Sequence, residues 1–211
     1  MNDLIFVLLI LTGFVFLGSG RLQFAIRTLA LQGILLGLIP LLGNWQGLWG
    51  RVLSIATISL VIKGLVLPYF LTRAMHKSKV MHEDHPFVGF TASMLVGIIC
   101  LGASFWLASR LPVIASMPSQ IAVAVSFFYL FVGLFVIMSR RKALTQVLGY
   151  LVLENGAYIF GVAYAIEAPF LVELGVLLDV FVAVFVMGII IFHISKSFDH
   201  IDTDQLSTLV G

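Results

Sequence analysis

Long apolar stretches separated by short polar connections divide this chain into seven segments. A bilayer core of about 30 Å is crossed by a helix of about 20 apolar residues. Helices are the expected form, because lipid offers no hydrogen-bond partners to backbone groups. The pattern therefore predicts an all-α, polytopic membrane protein. The seven predicted helices are Leu4–Gly18, Phe24–Leu42, Val52–Thr72, Phe87–Ser109, Gln120–Ser139, Ala143–Ile166 and Phe170–Ser195.

The basic residues of the connections are distributed unequally between the two sides. Cytoplasmic connections of membrane proteins carry an excess of Lys and Arg. The distribution therefore predicts an N-terminus outside and a C-terminus in the cytoplasm. The side with the connections after the first, third and fifth helices carries Arg21, Arg27, Arg73, Lys77, Lys79, Arg140, Arg141, Lys142 and Lys196, whereas the other carries Arg51 and Arg110.

Composition agrees with a membrane protein and excludes several functions. The chain has 211 residues, is 61% hydrophobic and 10% charged, and has a mean hydropathy of +1.13. A net charge of +2 makes nucleic acid an unsuitable partner. With one cysteine, Cys100, the chain can form no internal disulfide and hold no thiolate metal cluster alone. We therefore expect no cofactor or metal in this chain, and any redox chemistry on a partner. Asp3 in place of a positive leader indicates a retained first helix.

Four ionisable residues interrupt the apolar segments: Lys63, Glu154, Glu173 and Asp179. A charge at the centre of a membrane helix costs about 2.5–3.5 kcal/mol. Lys63, Glu154 and Asp179 together would cost about 8–10 kcal/mol, which is comparable to the net stability of a domain. Their retention requires either mutual pairing or a function.

The predicted helices place these charges at similar depths. Counted from the turn near Pro169 at 1.5 Å per residue, Glu154 lies about 20 Å deep and Asp179 about 15 Å. Lys63 lies about 18 Å from the outer end of the third helix. Glu173 is shallower, near the outer interface. We therefore expect Lys63, Glu154 and Asp179 to form a polar group near the midplane.

Neighbouring residues favour a proton path through this group. Tyr150 and Tyr158 stand four residues before and after Glu154, on one helix face, where their hydroxyl groups can relay protons. Pro68 removes the hydrogen bond to the carbonyl of Gly64, which predicts a kink beside Lys63. The alternative is a structural lock, in which Lys63 pairs with Glu154 or Asp179 and only fixes the helix packing.

Two other features have simpler interpretations. The longest connection, residues 73–86, contains His76, His82 and His85, but their spacing matches no tight set of metal ligands, so it is interpreted as a solvated loop or docking surface. Gly33 and Gly37 form a G-x-x-x-G pattern in the second helix, which predicts close packing against another helix of the chain.

Four stretches of the chain have a distinctive sequence: "QVLGYLVLENGAY" (146–158), "APFLVELGVLLDVFVAVFVMGIII" (168–191), "DTDQLSTLVG" (202–211) and "IKGLVLPYFLTRA" (62–74). They resemble the hydrogenase-4 component E family, the membrane subunits of group 4 nickel–iron hydrogenase and formate hydrogenlyase complexes. Length and the seven-helix pattern also fit, so the resemblance covers nearly the whole chain. Its most specific parts are the E-N-G segment and the spacing of Glu173 and Asp179.

Residues 120–195 also resemble the three-helix K-type subunit of respiratory complex I and the C subunit of multi-subunit sodium/proton antiporters. In the K-type subunit, intramembrane glutamates belong to the proton path. By that likeness Glu154 matches the middle-helix glutamate, whereas both Glu173 and Asp179 are candidates for the last-helix carboxylate. The expected organisation is a four-helix membrane part (1–119), a K-type-like part (120–196) and a cytoplasmic tail (197–211).

The resemblance implies a non-catalytic subunit of a redox-driven ion pump in a bacterial or archaeal cytoplasmic membrane. It implies antiporter-like membrane partners and a peripheral arm on the cytoplasmic side that carries nickel–iron and iron–sulfur centres. Two other functions remain open from the residues. One is a structural spacer between the antiporter-like subunits and the arm. The other is an independent small-solute carrier, which the absence of a convincing inverted repeat disfavours.

Overall fold

The computed structural model describes residues 2–39, 57, 60–78, 82, 86–111, 120–164, 182 and 188. In these ranges the chain is helical and forms no strand, so the predicted all-α class is confirmed for this part. The helices are α1 (Asn2–Gly18), α2 (Leu22–Leu38), a π-helical turn (Ile62–Val66), α3 (Leu67–Ser78), α4 (Phe90–Arg110), α5 (Gln120–Ser139) and α6 (Ala143–Tyr164).

Two of these helices, α4 and α5, are long and apolar enough to cross a membrane, and α1 and α2 are shorter apolar helices. The outer surface of α4 is strongly apolar, with Leu95 61%, Ile99 70% and Trp106 60% exposed. A contiguous surface of this kind is typical of a lipid or protein contact rather than of contact with water. The predicted seventh helix lies outside the described residues except for Val182, which is buried, and Gly188.

The third helix differs from its predicted bounds. It continues as α3 to Ser78, six residues beyond Thr72, so the connection predicted from Arg73 starts later. The helix continues because its polar residues form contacts with residues one turn earlier in the same helix. Arg73 donates a hydrogen bond to the hydroxyl oxygen of Tyr69 one turn earlier, at 3.2 Å, and the His76 ring lies 3.0 Å from the carbonyl of Thr72.

The fourth helix begins at Phe90, three residues later than predicted, after the N-cap residue Gly89. The backbone N–H of Phe87 instead donates to the carbonyl of Ser139, at 2.9 Å. This hydrogen bond holds the segment before α4 against the end of α5.

The tightest packing in the bundle is between α5 and α6, where glycines allow backbone contact. A Cβ atom on Gly133 would overlap the backbone nitrogen of Leu153, and one on Gly156 would lie 2.7 Å from the backbone nitrogen of Leu130. Small residues let membrane helices approach to this distance. This closely packed pair supports the polar residues of α6.

The remaining helices pack on two sides of this pair. On one side α1 contacts α5, α4 and α2, and α4 contacts α5; on the other, α2 contacts α6, the π-helical turn and α3. Tyr129 of α5, fully buried, ties α1 in place because its hydroxyl group donates to the carbonyl of Leu9 at 2.8 Å. The described helices before residue 120 therefore share one core with α5 and α6.

Connections that the sequence assigns to one side meet at one end of the bundle. The backbone of Arg21, after α1, forms an isolated bridge with His82, after α3. The carbonyl of His82 also accepts a hydrogen bond from Lys142, between α5 and α6. Helices that alternate in direction bring these three connections together, as observed.

Arg140 lies at this same end and is buried, although the sequence indicates only a loop cation. Its guanidinium donates to the carbonyl of Val88 at 2.9 Å, to the Ser93 hydroxyl at 3.2 Å and to the carbonyl of Leu17 at 3.5 Å. It also lies over the Phe90 ring at 4.7 Å. One side chain thereby joins the ends of α1, α4 and α5.

The substitution Arg140→Met should destabilise the bundle, because it leaves buried oxygen atoms without donors, each at a cost of about 1–3 kcal/mol. The neighbouring Arg141→Met removes an exposed guanidinium and serves as the matched control. The measurement is the temperature at which the detergent-purified protein aggregates. Equal midpoints for the two variants would contradict a structural role for Arg140.

Candidate functional site

Lys63 is held at the centre of the site by the π-helical turn Ile62–Val66. The N–H of Leu67 donates to the carbonyl of Ile62, five residues earlier, as a π-helical turn requires. Pro68 follows directly and has no N–H to donate to Gly64. The irregularity that Pro68 predicts beside Lys63 therefore takes the form of a π-helical turn, a local geometry that is frequent at functional sites.

Lys63 forms a buried ion pair with Glu154, which lies near the middle of the 22-residue helix α6. The Nζ atom of Lys63 lies 2.6 Å from Oε1 of Glu154, and the two side chains are 5% and 2% exposed. Charges removed from water to this degree are tolerated in membranes when they are paired.

Two amide side chains extend this pair. Lys63 Nζ also donates to Oδ1 of Asn155 at 3.3 Å. Nδ2 of Asn155 in turn donates to Oε1 of Gln32 in α2, at 3.5 Å. Asn155 is 3% exposed and Gln32 is fully buried. The result is a polar row that connects α2, the π-helical turn and α6 inside an apolar bundle.

Gly33 is what lets α2 reach the π-helical turn. A Cβ atom built on Gly33 would lie 2.7 Å from Cβ of Lys63 and 2.9 Å from its backbone C and O atoms. One on Gly37 would lie 3.1 Å from Cβ of Leu60. The G-x-x-x-G pattern thus packs within the chain, and it places Gln32 beside the ion pair.

The two tyrosines of the sequence prediction are in different positions relative to the ion pair. Tyr158 is buried, and the face of its ring lies 5.4 Å from Lys63 Nζ, a cation–π distance. Tyr150 is half-buried and packs against the apolar core. The structure thus brings Tyr158 to the lysine through its ring, a contact that the helix-face argument did not predict.

The other predicted site residues, Glu173 and Asp179, lie outside the described residues. Cys100 is half-buried in α4 and free. His76 lies in α3, and His82 at the bridge with Arg21. No cluster of three potential metal-binding side chains forms within the described ranges.

Two buried polar atoms of the row have no hydrogen-bond partner in the described part of the chain. They are Oε2 of Glu154 and Nε2 of Gln32. An unsatisfied polar atom inside a protein costs about 1–3 kcal/mol. Such atoms are commonly hydrogen-bonded to internal water. A carboxylate with one oxygen on an ammonium group and one oxygen open can bind and release a proton.

Sequence reasoning identified the charges but missed Gln32 and Asn155. Neutral amides cost less in a membrane than charges do, so the cost of burial does not single them out in the sequence. A signal was present for Gln32, which is a polar residue in the apolar stretch of the second helix, directly before Gly33. For Asn155 the signal was its place next to Glu154.

Comparison with known proteins gives two kinds of match. The family model described as NADH-ubiquinone/plastoquinone oxidoreductase chain 4L matches residues 121–211. An uncharacterised protein of Mycobacterium tuberculosis is 31% identical over 191 residues, 89% of this chain and 86% of the relative. Hydrogenase-4 component E of Escherichia coli strain K12 is 31% identical over 153 residues, 72% of this chain and 70% of the relative. No solved structure matches the chain significantly.

Proposed function

This chain belongs to the hydrogenase-4 component E family, and we propose on that basis that it is a non-catalytic membrane subunit of a complex I-related hydrogenase. Within that complex it contributes a proton path that is coupled to redox chemistry on other subunits. The similarity to hydrogenase-4 component E and the match to chain 4L support the membership. The proton path is supported by the site itself.

The observation that carries the path is the buried pair of Lys63 and Glu154, at 2.6 Å, in which the second carboxylate oxygen has no hydrogen-bond partner among the described residues. Intramembrane ionisable residues of this kind mark proton relays in pumps and transporters. A pair that served only to join two helices would be expected to use both carboxylate oxygens, because an open one costs stability.

The geometry supports a simple cycle of protonation. In the ion pair, Lys63 carries its proton and Glu154 is ionised. One additional proton neutralises Glu154, which weakens its attraction to the ammonium group. Release of that proton to the other side restores the pair. Electric fields from redox steps elsewhere in the complex would decide when uptake and release occur.

The wider proposal follows the family. The chain spans the bacterial or archaeal cytoplasmic membrane seven times, with its C-terminus in the cytoplasm. Antiporter-like subunits flank it, and a peripheral arm on the cytoplasmic side holds the nickel–iron and iron–sulfur centres, as in formate hydrogenlyase complexes. Glu173 or Asp179 supplies the second carboxylate of the path, from the seventh helix.

The test is Glu154→Gln, which keeps the shape of the side chain but cannot exchange a proton. The complex is purified through a tag on this chain and reconstituted into vesicles. It is then driven by whichever donor, formate or reduced ferredoxin, supports wild-type turnover. In the complexes that assemble, proton translocation per hydrogen formed should fall by about a hundredfold or more, because the loss of an acid–base group typically costs about 10²–10⁴ in rate, while hydrogen formation continues.

Asp3→Asn is the matched control, because it removes an exposed carboxylate from the same chain. It should translocate protons as the wild type does. Normal translocation by Glu154→Gln would reject the path. Loss of assembly in Glu154→Gln, with normal coupling in the complexes that form, would instead favour a structural lock in a spacer subunit.

A further inference from the structure

Through Gln32, helix α2 contributes to the polar row at the ion pair. This helix lies outside residues 121–211, the part matched by the chain 4L family model. Gln32 is fully buried, and its Oε1 accepts the hydrogen bond of Asn155 at 3.5 Å. Its Nε2 has no partner in the described part of the chain. A buried amide that uses its oxygen and leaves its nitrogen open requires an explanation.

The open atoms are complementary. Gln32 Nε2 is a donor, and Glu154 Oε2, the other open atom of the row, is an acceptor. Water can donate to one and accept from the other, and internal waters typically bind buried polar groups that lack partners. In the row, Gln32 is linked to Glu154 through Asn155 and Lys63 and not by a direct hydrogen bond.

A second buried polar group continues the row along α2. Thr28 lies one turn before Gln32 on the same helix face and is 5% exposed. Its hydroxyl group donates to the carbonyl of Phe24 at 3.0 Å, which leaves its oxygen able to accept a hydrogen bond. Thr28 lies toward the end of the bundle where Arg21 meets His82.

We infer that Gln32 orders internal water at Glu154 and that this water carries protons between Glu154 and the Thr28 side of α2. The inference rests on the proposed function. Gln32 does not exchange protons itself; it is a positioning residue that holds the water by its Nε2 atom. The N-terminal part of the chain thereby supplies one branch of the path to the carboxylate of α6.

The test compares Gln32→Leu with Gln23→Leu in the reconstituted complex, with Glu154→Gln in parallel. Gln23 lies on the same helix but is exposed. Gln32→Leu should lower protons translocated per hydrogen formed by about fivefold, the factor that corresponds to one ordinary hydrogen bond. Gln23→Leu should behave as the wild type, and Gln32→Asn, which keeps the amide, should recover part of the loss.

Each result separates this inference from the proposed function. Normal coupling in Gln32→Leu together with lost coupling in Glu154→Gln would overturn the role of Gln32 and leave Glu154 as the proton site. Normal coupling in Glu154→Gln would reject both. If Gln32→Leu does not assemble, Gln32→Asn decides: coupling between that of the wild type and that of Glu154→Gln would support the inference, and coupling equal to that of the wild type would overturn it.

A structure of the wild-type complex that shows ordered water supplies a readout independent of any variant. Water is expected within about 2.7–3.2 Å of both Gln32 Nε2 and Glu154 Oε2, the usual hydrogen-bond range. A protein or lipid group in contact with both atoms, or a dry site, would overturn the inference.

Discussion

Lys63→Met should reduce the amount of assembled complex by more than about tenfold, since removing one partner of a buried ion pair typically costs 3–5 kcal/mol. Methionine has nearly the length of lysine and is apolar, so the loss of the charge is the main change. Glu154, which is 2% exposed, would remain without the ammonium group that lies 2.6 Å from it. The measurement is the yield of complex co-purified with this chain from equal amounts of membrane.

The double variant Lys63→Met with Glu154→Gln tests whether pairing is the cause. Replacement of both members of a buried pair by uncharged groups of similar size is often nearly neutral. The double variant should therefore assemble far better than Lys63→Met alone, although it should not translocate protons. Lys77→Met, at an exposed position of α3, is the control for loss of a lysine. Equal losses in the single and double variants would show that Lys63 stabilises the complex through another contact.

The sequence predicted the charged centre of this site because charge in an apolar segment has a large physical cost. Lys63 and Glu154 stood out for that reason, and depth counted along helices placed them at one level. The structure brings these two within hydrogen-bond distance. Asp179 and Glu173, identified by the same argument, lie outside the described residues and stay predictions.

The cost of burying charge does not predict the contacts of the amide side chains or the local geometry of the backbone. A hydrogen bond from Asn155 to Gln32 depends on how α2 and α6 are rotated about their axes. No pattern within either helix sets that rotation. The π-helical turn at Lys63 likewise depends on tertiary packing: Pro68 predicts that a hydrogen bond is lost, but not how the preceding turn responds. Burial of Arg140 was missed because a basic residue in a short connection is normally solvated.

The presence of helices could be predicted because one physical constraint dominates their formation. Lipid leaves backbone groups no partner outside the helix, so every long apolar run must satisfy its own hydrogen bonds. Helix ends are weaker features, since polar residues can continue a helix past the end of its apolar run, as α3 shows at Ser78. The boundary of an apolar run therefore does not mark the end of a helix.

Gly33→Ala should lower both stability and coupling, because the added Cβ would lie 2.9 Å from backbone atoms of Lys63. Backbone atoms in a packed helix cannot move aside as a flexible side chain can. We expect α2 to shift away from the π-helical turn at a cost of about 1–3 kcal/mol, the usual range for overpacking. The shift would separate Gln32 from Asn155 and disturb the ion pair. Thermal aggregation of the purified complex and proton translocation measure the two effects.

Alanine substitutions at two other glycines provide comparisons for Gly33→Ala. Among the described residues, a Cβ atom on Gly64 would meet the Ile34 side chain alone, at 3.3 Å, so a small rotation can relieve the contact in Gly64→Ala. A Cβ atom on Gly102 of α4 would meet no described residue within 4 Å, and alanine is the better helix former by about 1 kcal/mol. The predicted order of stability is therefore Gly102→Ala, then Gly64→Ala, then Gly33→Ala. If Gly33→Ala were as stable and as well coupled as Gly102→Ala, close contact between α2 and Lys63 would not be what holds the site together.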